Sequence, residues 1–374
     1  MNILLVGGTG CISTAVVGEA IKQKIEVSIL NRGNRIGLIP DKVTFLKADV
    51  KNSTCVKSLL KNNIYDAIID FICFDEKDIK YSFNLFKNNT MQYIFISSCA
   101  VHRYNNNNDP SKLNVWEYSV KKNRAENWLK ENALRNGIPY TIVRPAVTYG
   151  DTRIPYGITP PYGSHWTFIE RIKHGKPIIT WNKGEDYCNI THASDFAIAF
   201  AGLLGNKNAY NEEFDIVGDE TPKWKDVLFE LENYIGVRVK TFDIPVQFYA
   251  TEVPNKRDEI LFGRAISMKY QNDKIKSIVP LFSQNILLKD GVKRTLDYYK
   301  KNNYINGIDY SFDGDCDRII LKYAKKNGDS VEDLNLKYID YLGSNKQQDK
   351  YSYYLECKKD NFMYKCIKML KRVF

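Results

Sequence analysis

No run of apolar residues in this 374-residue chain is long enough to span a bilayer. Its first residues lack the charged, apolar and small-residue zones of a secretory leader. A soluble, cytoplasmic protein is the expectation. None of the eight cysteines, at 11, 55, 73, 99, 188, 316, 357 and 366, forms a C-x-x-C pair, and the four histidines, at 102, 165, 174 and 192, lack ligand spacing. A zinc site is not expected, and the cysteines read as reduced thiols of a cytosolic protein. There is no internal repeat. The net charge is +10, but the lysines are dispersed up to the basic chain end, so no specific nucleic-acid partner is expected. At 44% hydrophobic and 26% charged residues the composition is that of a globular protein, and the length suits one large domain or two ordinary ones.

The first thirty-five residues carry the strongest signal. An apolar run at 1–6 with strand character leads into Gly7, Gly8, Thr9, Gly10, Cys11, Ile12 and Ser13. A helical pattern follows, with Ala15, Val16, Val17, Ala20 and Ile21 as its apolar face. A second apolar strand at 27–30 ends at Asn31, Arg32 and Gly33. Strand, glycine turn, helix and strand form the βαβ unit that seats a dinucleotide. Glycine lets the chain bend tightly and approach a pyrophosphate without a Cβ. The phosphates then meet free N–H groups at a helix N-terminus.

Strands and helices alternate through the first 150 residues. The expected strands are 2–6, 25–30, 43–47, 66–71, 92–97 and 139–143, with clear helical patterns at 75–87 and 117–135. This predicts an α/β fold, a Rossmann-type doubly wound parallel sheet with a smaller C-terminal substrate domain. The expected boundaries are a dinucleotide-binding domain at 1–150, rejoined by about 187–218. A substrate domain follows at 151–186 and 219–312, and a helical extension at 313–374. Residues 104–116 read as a surface loop.

Tyr118 and Lys122 lie four apart at the start of a predicted helix and share one face. A phenol is a poor base at neutral pH, and a nearby ammonium favours its ionised form. The tyrosine can then exchange a proton while a nicotinamide exchanges hydride, and the lysine can hold the nicotinamide ribose. Upstream, a strand at 93–96 ends in Ser97, Ser98, Cys99, Ala100 and Val101. A hydroxyl at the C-terminal end of a parallel strand faces the ligand crevice of such folds, so Ser98 either polarises the reacting oxygen or caps a turn.

Together these pieces resemble the extended short-chain dehydrogenase/reductase family, the NAD-dependent epimerase/dehydratase group, over residues 1–312. The resemblance implies Ser98, Tyr118 and Lys122 as the catalytic trio. It implies Gly7, Gly8, Thr9, Gly10, Cys11, Ile12, Asn31, Arg32, Asp49, Val50, Phe71, Lys122 and Pro145 as the cofactor contacts. Asp70 belongs to the same cofactor-lining segment as Phe71. Arg144 and Pro145 look like a turn beside the nicotinamide. Thr191, His192 and Asp195 resemble the segment that returns the chain to the main domain.

Three departures matter. Ser13 stands where the third glycine of the turn usually sits. The second strand ends in Asn31 and Arg32 without the carboxylate that binds the ribose 2′-OH of NAD, which favours NADP over NAD as cofactor. Cys99 and Ala100 follow Ser98, and neither can shuttle the proton that sugar dehydration needs. Epimerase or reductase chemistry on a nucleotide-linked sugar is therefore the leading reading. The alternative is a non-catalytic nucleotide- or RNA-binding member, since the same family includes chloroplast stem-loop RNA-binding proteins.

Trp166, Arg171 and Lys176 lie where the family builds its substrate pocket, and would stack a base and neutralise a diphosphate. Equally, Trp166 reads as a core anchor. Tyrosines cluster at 338, 341, 351, 353 and 354. Beyond them Phe362, Cys366, Met369, Leu370, Val373 and Phe374 fall on one stripe of a basic amphipathic helix. Packing on its own domain, or on a second copy in a homodimer, is expected ahead of contact with an anionic membrane surface.

Overall fold

The computed structural model describes residues 1–35, 40–105 and 116–359. The predicted amphipathic helix at 361–374 and most of the predicted loop at 104–116 lie outside them. In chain order the elements are β1 Asn2–Val6, α1 Cys11–Lys22, β2 Glu26–Asn31, β3 Thr44–Lys47, α2 Ser53–Leu59, β4 Ala67–Asp70, α3 Glu76–Phe86, β5 Tyr93–Ile96, α4 Val101–Asn105, α5 Glu117–Arg135, β6 Tyr140–Pro145 and β7 Val147–Tyr149. Then come α6 Trp166–Lys173, β8 Ile178–Thr180, β9 Ile190–His192, α7 Ala193–Ala201, β10 Glu212–Ile216, α8 Trp224–Ile235, β11 Thr241–Asp243, α9 Val246–Glu252, α10 Asp273–Ile278, α11 Leu288–Lys301, α12 Tyr310–Asn327 and α13 Gln347–Cys357.

The chain forms two compact units, the first made of Met1–Gly150, Asn189–Thr221 and Met268–Leu287. Its sheet has seven parallel strands in the order β10-β6-β5-β4-β1-β2-β3. The alternation along β1 shows why it is wound on both faces. Ile3 and Leu5 join Val16, Val17, Phe196 and Phe200 on one side, and Leu4 and Val6 join Ile79, Phe83, Ala125 and Leu129 on the other. A parallel strand needs helices above and below because both of its faces are apolar. Strand order reverses beside β1, so the turns after β1 and β4 flank the crevice where open α/β sheets take ligands.

Residues 268–287 were expected in the second domain, but they belong to the first unit. Here α10 and the turn after it bring Ile275, Val279 and Phe282 into the sheet's core. A short helix and the turn after it, supplying three apolar side chains between them, carry too little periodicity to be assigned to either domain from sequence.

The second unit comprises Asp151–Cys188, Pro222–Ser267 and Leu288–Phe374. It holds a two-stranded parallel sheet of β8 and β11 with α6, α8, α9 and α11–α13. The segment expected as a separate extension from residue 313 is integral to it. Tyr353 of α13 is buried, and a Cβ at Gly314 of α12 would overlap its carbonyl. No helix among the described residues is long and apolar enough to cross a membrane.

Candidate active site

The glycine turn between β1 and α1 adopts the backbone its composition allows. Gly7 and Gly8 have φ of +112° and +83°. A Cβ at Gly8 would lie 2.6 Å from Ile29 Cγ2 of β2, so only glycine fits there. Gly10 caps α1, and its N–H donates to Ser13 Oγ at 2.8 Å. Serine in the third glycine position thus becomes a cap rather than a loss: its hydroxyl satisfies a backbone donor that glycine would leave open. The first turn of α1 holds no acidic residue. First-turn N–H groups of a helix have no intrahelical acceptor, and with the macrodipole they suit a pyrophosphate, so the donor chemistry of Gly8–Ile12 fits a dinucleotide.

Asn31 ties the end of β2 to this turn. Its Nδ2 donates to the Gly7 carbonyl at 2.7 Å, and its Oδ1 accepts the Gly33 N–H at 2.8 Å. The side chain is therefore a brace for the turn. Arg32 next to it is exposed, and the Nη1 of exposed Arg35 sits 3.5 Å from the Thr9 carbonyl. Arg35 was not singled out from sequence, although its place three residues past Arg32 was a usable signal. After β3, exposed Asp49 accepts the Lys51 N–H at 2.9 Å, and the Val50 carbonyl accepts the Tyr81 hydroxyl at 2.9 Å. Phe71 follows β4, with its N–H bonded to the Val6 carbonyl at 3.1 Å.

At the tip of β5, Ser97 N–H bonds the Val143 carbonyl at 2.8 Å and Cys99 N–H bonds the Pro145 carbonyl at 3.0 Å. This extends the ladder with β6. Ser97 and Cys99 are buried, whereas Ser98 between them is partly exposed. Its Oγ accepts the Ala100 N–H at 3.2 Å, which leaves the hydroxyl hydrogen to donate. Arg144 at the adjoining tip of β6 is locked to Glu126 of α5 at 2.9 and 2.5 Å.

Lys122 is 3% exposed, and its Nζ donates to the Cys73 carbonyl at 2.6 Å and to the Ile96 carbonyl at 2.9 Å. The second bond places the ammonium two residues from Ser98. The rings of Phe95, Phe74 and Tyr118 lie 4.8, 5.2 and 5.9 Å from it. Burial lowers its pKa to about 8 against the opposing pull of Cys73, Asp70, Glu126 and Asp78. An ammonium has three N–H groups, and two are spent on carbonyls.

The expected substrate contacts are corrected by the structure. Arg171 and Lys176 are buried within the second unit, where both pair with Asp313 and Asp317 of α12 at 2.5–2.9 Å. The Tyr341 and Tyr353 hydroxyls donate to the same carboxylates at 3.0 and 2.6 Å. Buried cations already neutralised by two carboxylates are not open to a diphosphate. Trp166 is also a core residue: it stacks on Tyr299 at 6.0 Å and its Nε1 donates to Glu170 at 2.8 Å. Sequence gave no warning, because the carboxylates lie about 140 positions downstream. Among the described residues no cluster of His, Cys, Asp and Glu could hold a metal ion.

The chain is similar to known proteins in sequence and in fold. Residues 3–216 match the NAD dependent epimerase/dehydratase family. The chloroplast stem-loop binding protein of 41 kDa b of Arabidopsis thaliana is 26% identical over 239 residues, which is 59% of this chain and 59% of that protein. The UDP-glucose 4-epimerase of Thermotoga maritima, solved with UDP-glucose, superposes with a TM-score of 0.63 at 19% identity, covering 81% of this chain and 100% of that one. The UDP-glucuronic acid 4-epimerase of Bacillus cereus, solved with UDP-glucuronic acid and NAD, gives 0.63 at 18% over the same shares. At these identities the superpositions speak for the fold. The family match spans more than half of the residues, and the chain belongs to the NAD-dependent epimerase/dehydratase family.

Proposed function

We propose that this protein is an NAD(P)-dependent epimerase or reductase acting on a nucleotide-linked sugar, with Tyr118 as acid/base, Lys122 as its electrostatic partner and Ser98 as the polarising donor. One observation carries the reading: Lys122 Nζ is bonded to the carbonyl at the tip of β5, near Ser98, and lies 5.9 Å from the Tyr118 ring. A bound nicotinamide would supply the hydride acceptor and donor. The chain's residues handle the proton and the charge. Ser98 donates its hydroxyl hydrogen to the reacting oxygen. The Tyr118 phenolate takes the proton from that oxygen on oxidation, and the phenol so formed returns it on reduction. The Lys122 ammonium favours the phenolate and keeps one N–H for a ribose hydroxyl.

NADP is the favoured cofactor. Asn31 is occupied inside the turn, and Arg32 and Arg35 offer guanidinium groups where a carboxylate would select a 2′-OH. The test is to purify the protein and assay bound nicotinamide. Cofactor kept through dialysis supports an epimerase, and stoichiometric NADPH loss with a keto-sugar supports a reductase. Tyr118→Phe should retain cofactor and lose hydride transfer by roughly 10²-fold or more. Tenfold tighter NAD than NADP overturns the preference. Likeness to the stem-loop binding protein favours one second reading, RNA binding. Salt-sensitive RNA retention without any nicotinamide would replace the enzymatic reading with that one.

A further inference from the structure

Asp70 ends β4 and is fully buried, yet it is not one of the three residues given chemical roles above. Five donors converge on it. Oδ1 accepts the N–H groups of Ile72 and Cys73 at 2.9 and 3.1 Å. Oδ2 accepts the Cys73 thiol at 3.0 Å, the Tyr93 hydroxyl at 2.9 Å and the Ser82 hydroxyl in a short bond. A carboxylate is an acceptor-only group, so an all-donor shell matches it. Burial and the neighbouring Asp70 push the Cys73 thiol well above its usual range, which keeps it a donor.

This shell has a direction. By fixing the N–H groups of residues 72 and 73, Asp70 sets the conformation of the loop whose next carbonyl, that of Cys73, accepts Lys122 Nζ at 2.6 Å. The same carboxylate supplies negative potential to the buried ammonium. We propose that Asp70 is a positioning residue for Lys122: it aims the Cys73 carbonyl at Nζ and holds the third proton on it, so that one N–H remains for the bound dinucleotide. The inference rests on the reading of Lys122 given under Proposed function.

Proton counting makes it testable. A protonated Lys122 has three N–H groups, two on the carbonyls of Cys73 and Ile96 and one for a ligand. The neutral amine has two, and both are taken. Affinity for a dinucleotide should then fall as pH rises through the Lys122 titration near 8. The charged or titratable groups around Nζ are Asp70 at the end of β4, Cys73 in the loop after it, Asp78 of α3, and Tyr118 and Glu126 of α5. Asp70→Asn removes one negative charge and keeps an acceptor for the two backbone N–H groups.

The experiment follows NADH and NADPH binding by fluorescence from pH 6 to 10 in the full chain, with wild type, Lys122→Met, Asp70→Asn and Tyr93→Phe. Asp70→Asn should move the midpoint of affinity loss down by about one unit, costing roughly fivefold at pH 8 and little at pH 6. Tyr93→Phe keeps the charge and should keep the wild-type midpoint, even at a lower melting temperature. An unmoved midpoint in Asp70→Asn, or an equal shift in Tyr93→Phe, overturns the proposal. If Asp70→Asn does not fold, Asp70→Ser gives the same readout. If neither folds, the carboxylate is structural and the proposal fails. If wild type binds no nicotinamide nucleotide, or Lys122→Met binds like wild type, the reading of the site fails instead.

Discussion

Replacing Lys176 by methionine tests whether the cations of the second unit belong to its core or to a ligand. In the native cluster two cations, Arg171 and Lys176, face two carboxylates, Asp313 and Asp317, and the charges cancel. Lys176→Met deletes bonds of 2.7 and 2.6 Å and leaves one negative charge uncompensated beneath residues that exclude water. Breaking a buried pair by removing one partner costs about 3–5 kcal/mol. For a unit of this size that corresponds to a fall in melting temperature of roughly 6–20 °C. Adding Asp317→Asn restores neutrality and should recover part of the loss, so the two substitutions should couple by about 0.5–3 kcal/mol. The assay is urea unfolding followed by fluorescence of Trp166, Trp181 and Trp224, which all lie in this unit. Had Lys176 been a phosphate ligand, its removal would shift stability by only about 0.5 kcal/mol and weaken nucleotide-sugar binding. An unmoved unfolding transition, or strict additivity in the double variant, refutes the assignment.

Two further outcomes follow from single side chains. Burial lowers the pKa of His165 from 6.5 to about 4, and its Nδ1 accepts the Ile154 N–H at 3.4 Å. Between those values the unfolded chain binds a proton that the folded one refuses. Stability is therefore lost as pH falls from 6.5 towards 4, by roughly 3 kcal/mol relative to a His165→Gln variant. Parallel pH–stability curves for the two proteins would contradict this. Gly8→Ala combines left-handed strain of about 1–2 kcal/mol with overpacking of about 1–3 kcal/mol against Ile29. Gly137→Ala, at φ +66° with open space around it, should carry only the strain. Equal losses of stability in the two variants would show that the contact with Ile29 is immaterial.

Local pattern made the first unit legible from the chain alone. Alternating apolar runs mark β1, β2 and β4–β6, because strands covered on both faces must be apolar throughout. Gly7 and Gly8 mark the turn, because few other residues accept its backbone. The four-residue spacing put Tyr118 and Lys122 on one helix face, and α5 spans the predicted 117–135. What sequence left open depends on residues far apart in the chain. That Lys122 has only one N–H to spare follows from the Cys73 and Ile96 carbonyls, 49 and 26 positions away. That Arg171 and Lys176 neutralise α12 rather than a diphosphate follows from carboxylates some 140 positions on. Periodicity is a property of neighbours and survives in the sequence, whereas the partner of a buried charge exists only once the chain has closed around it.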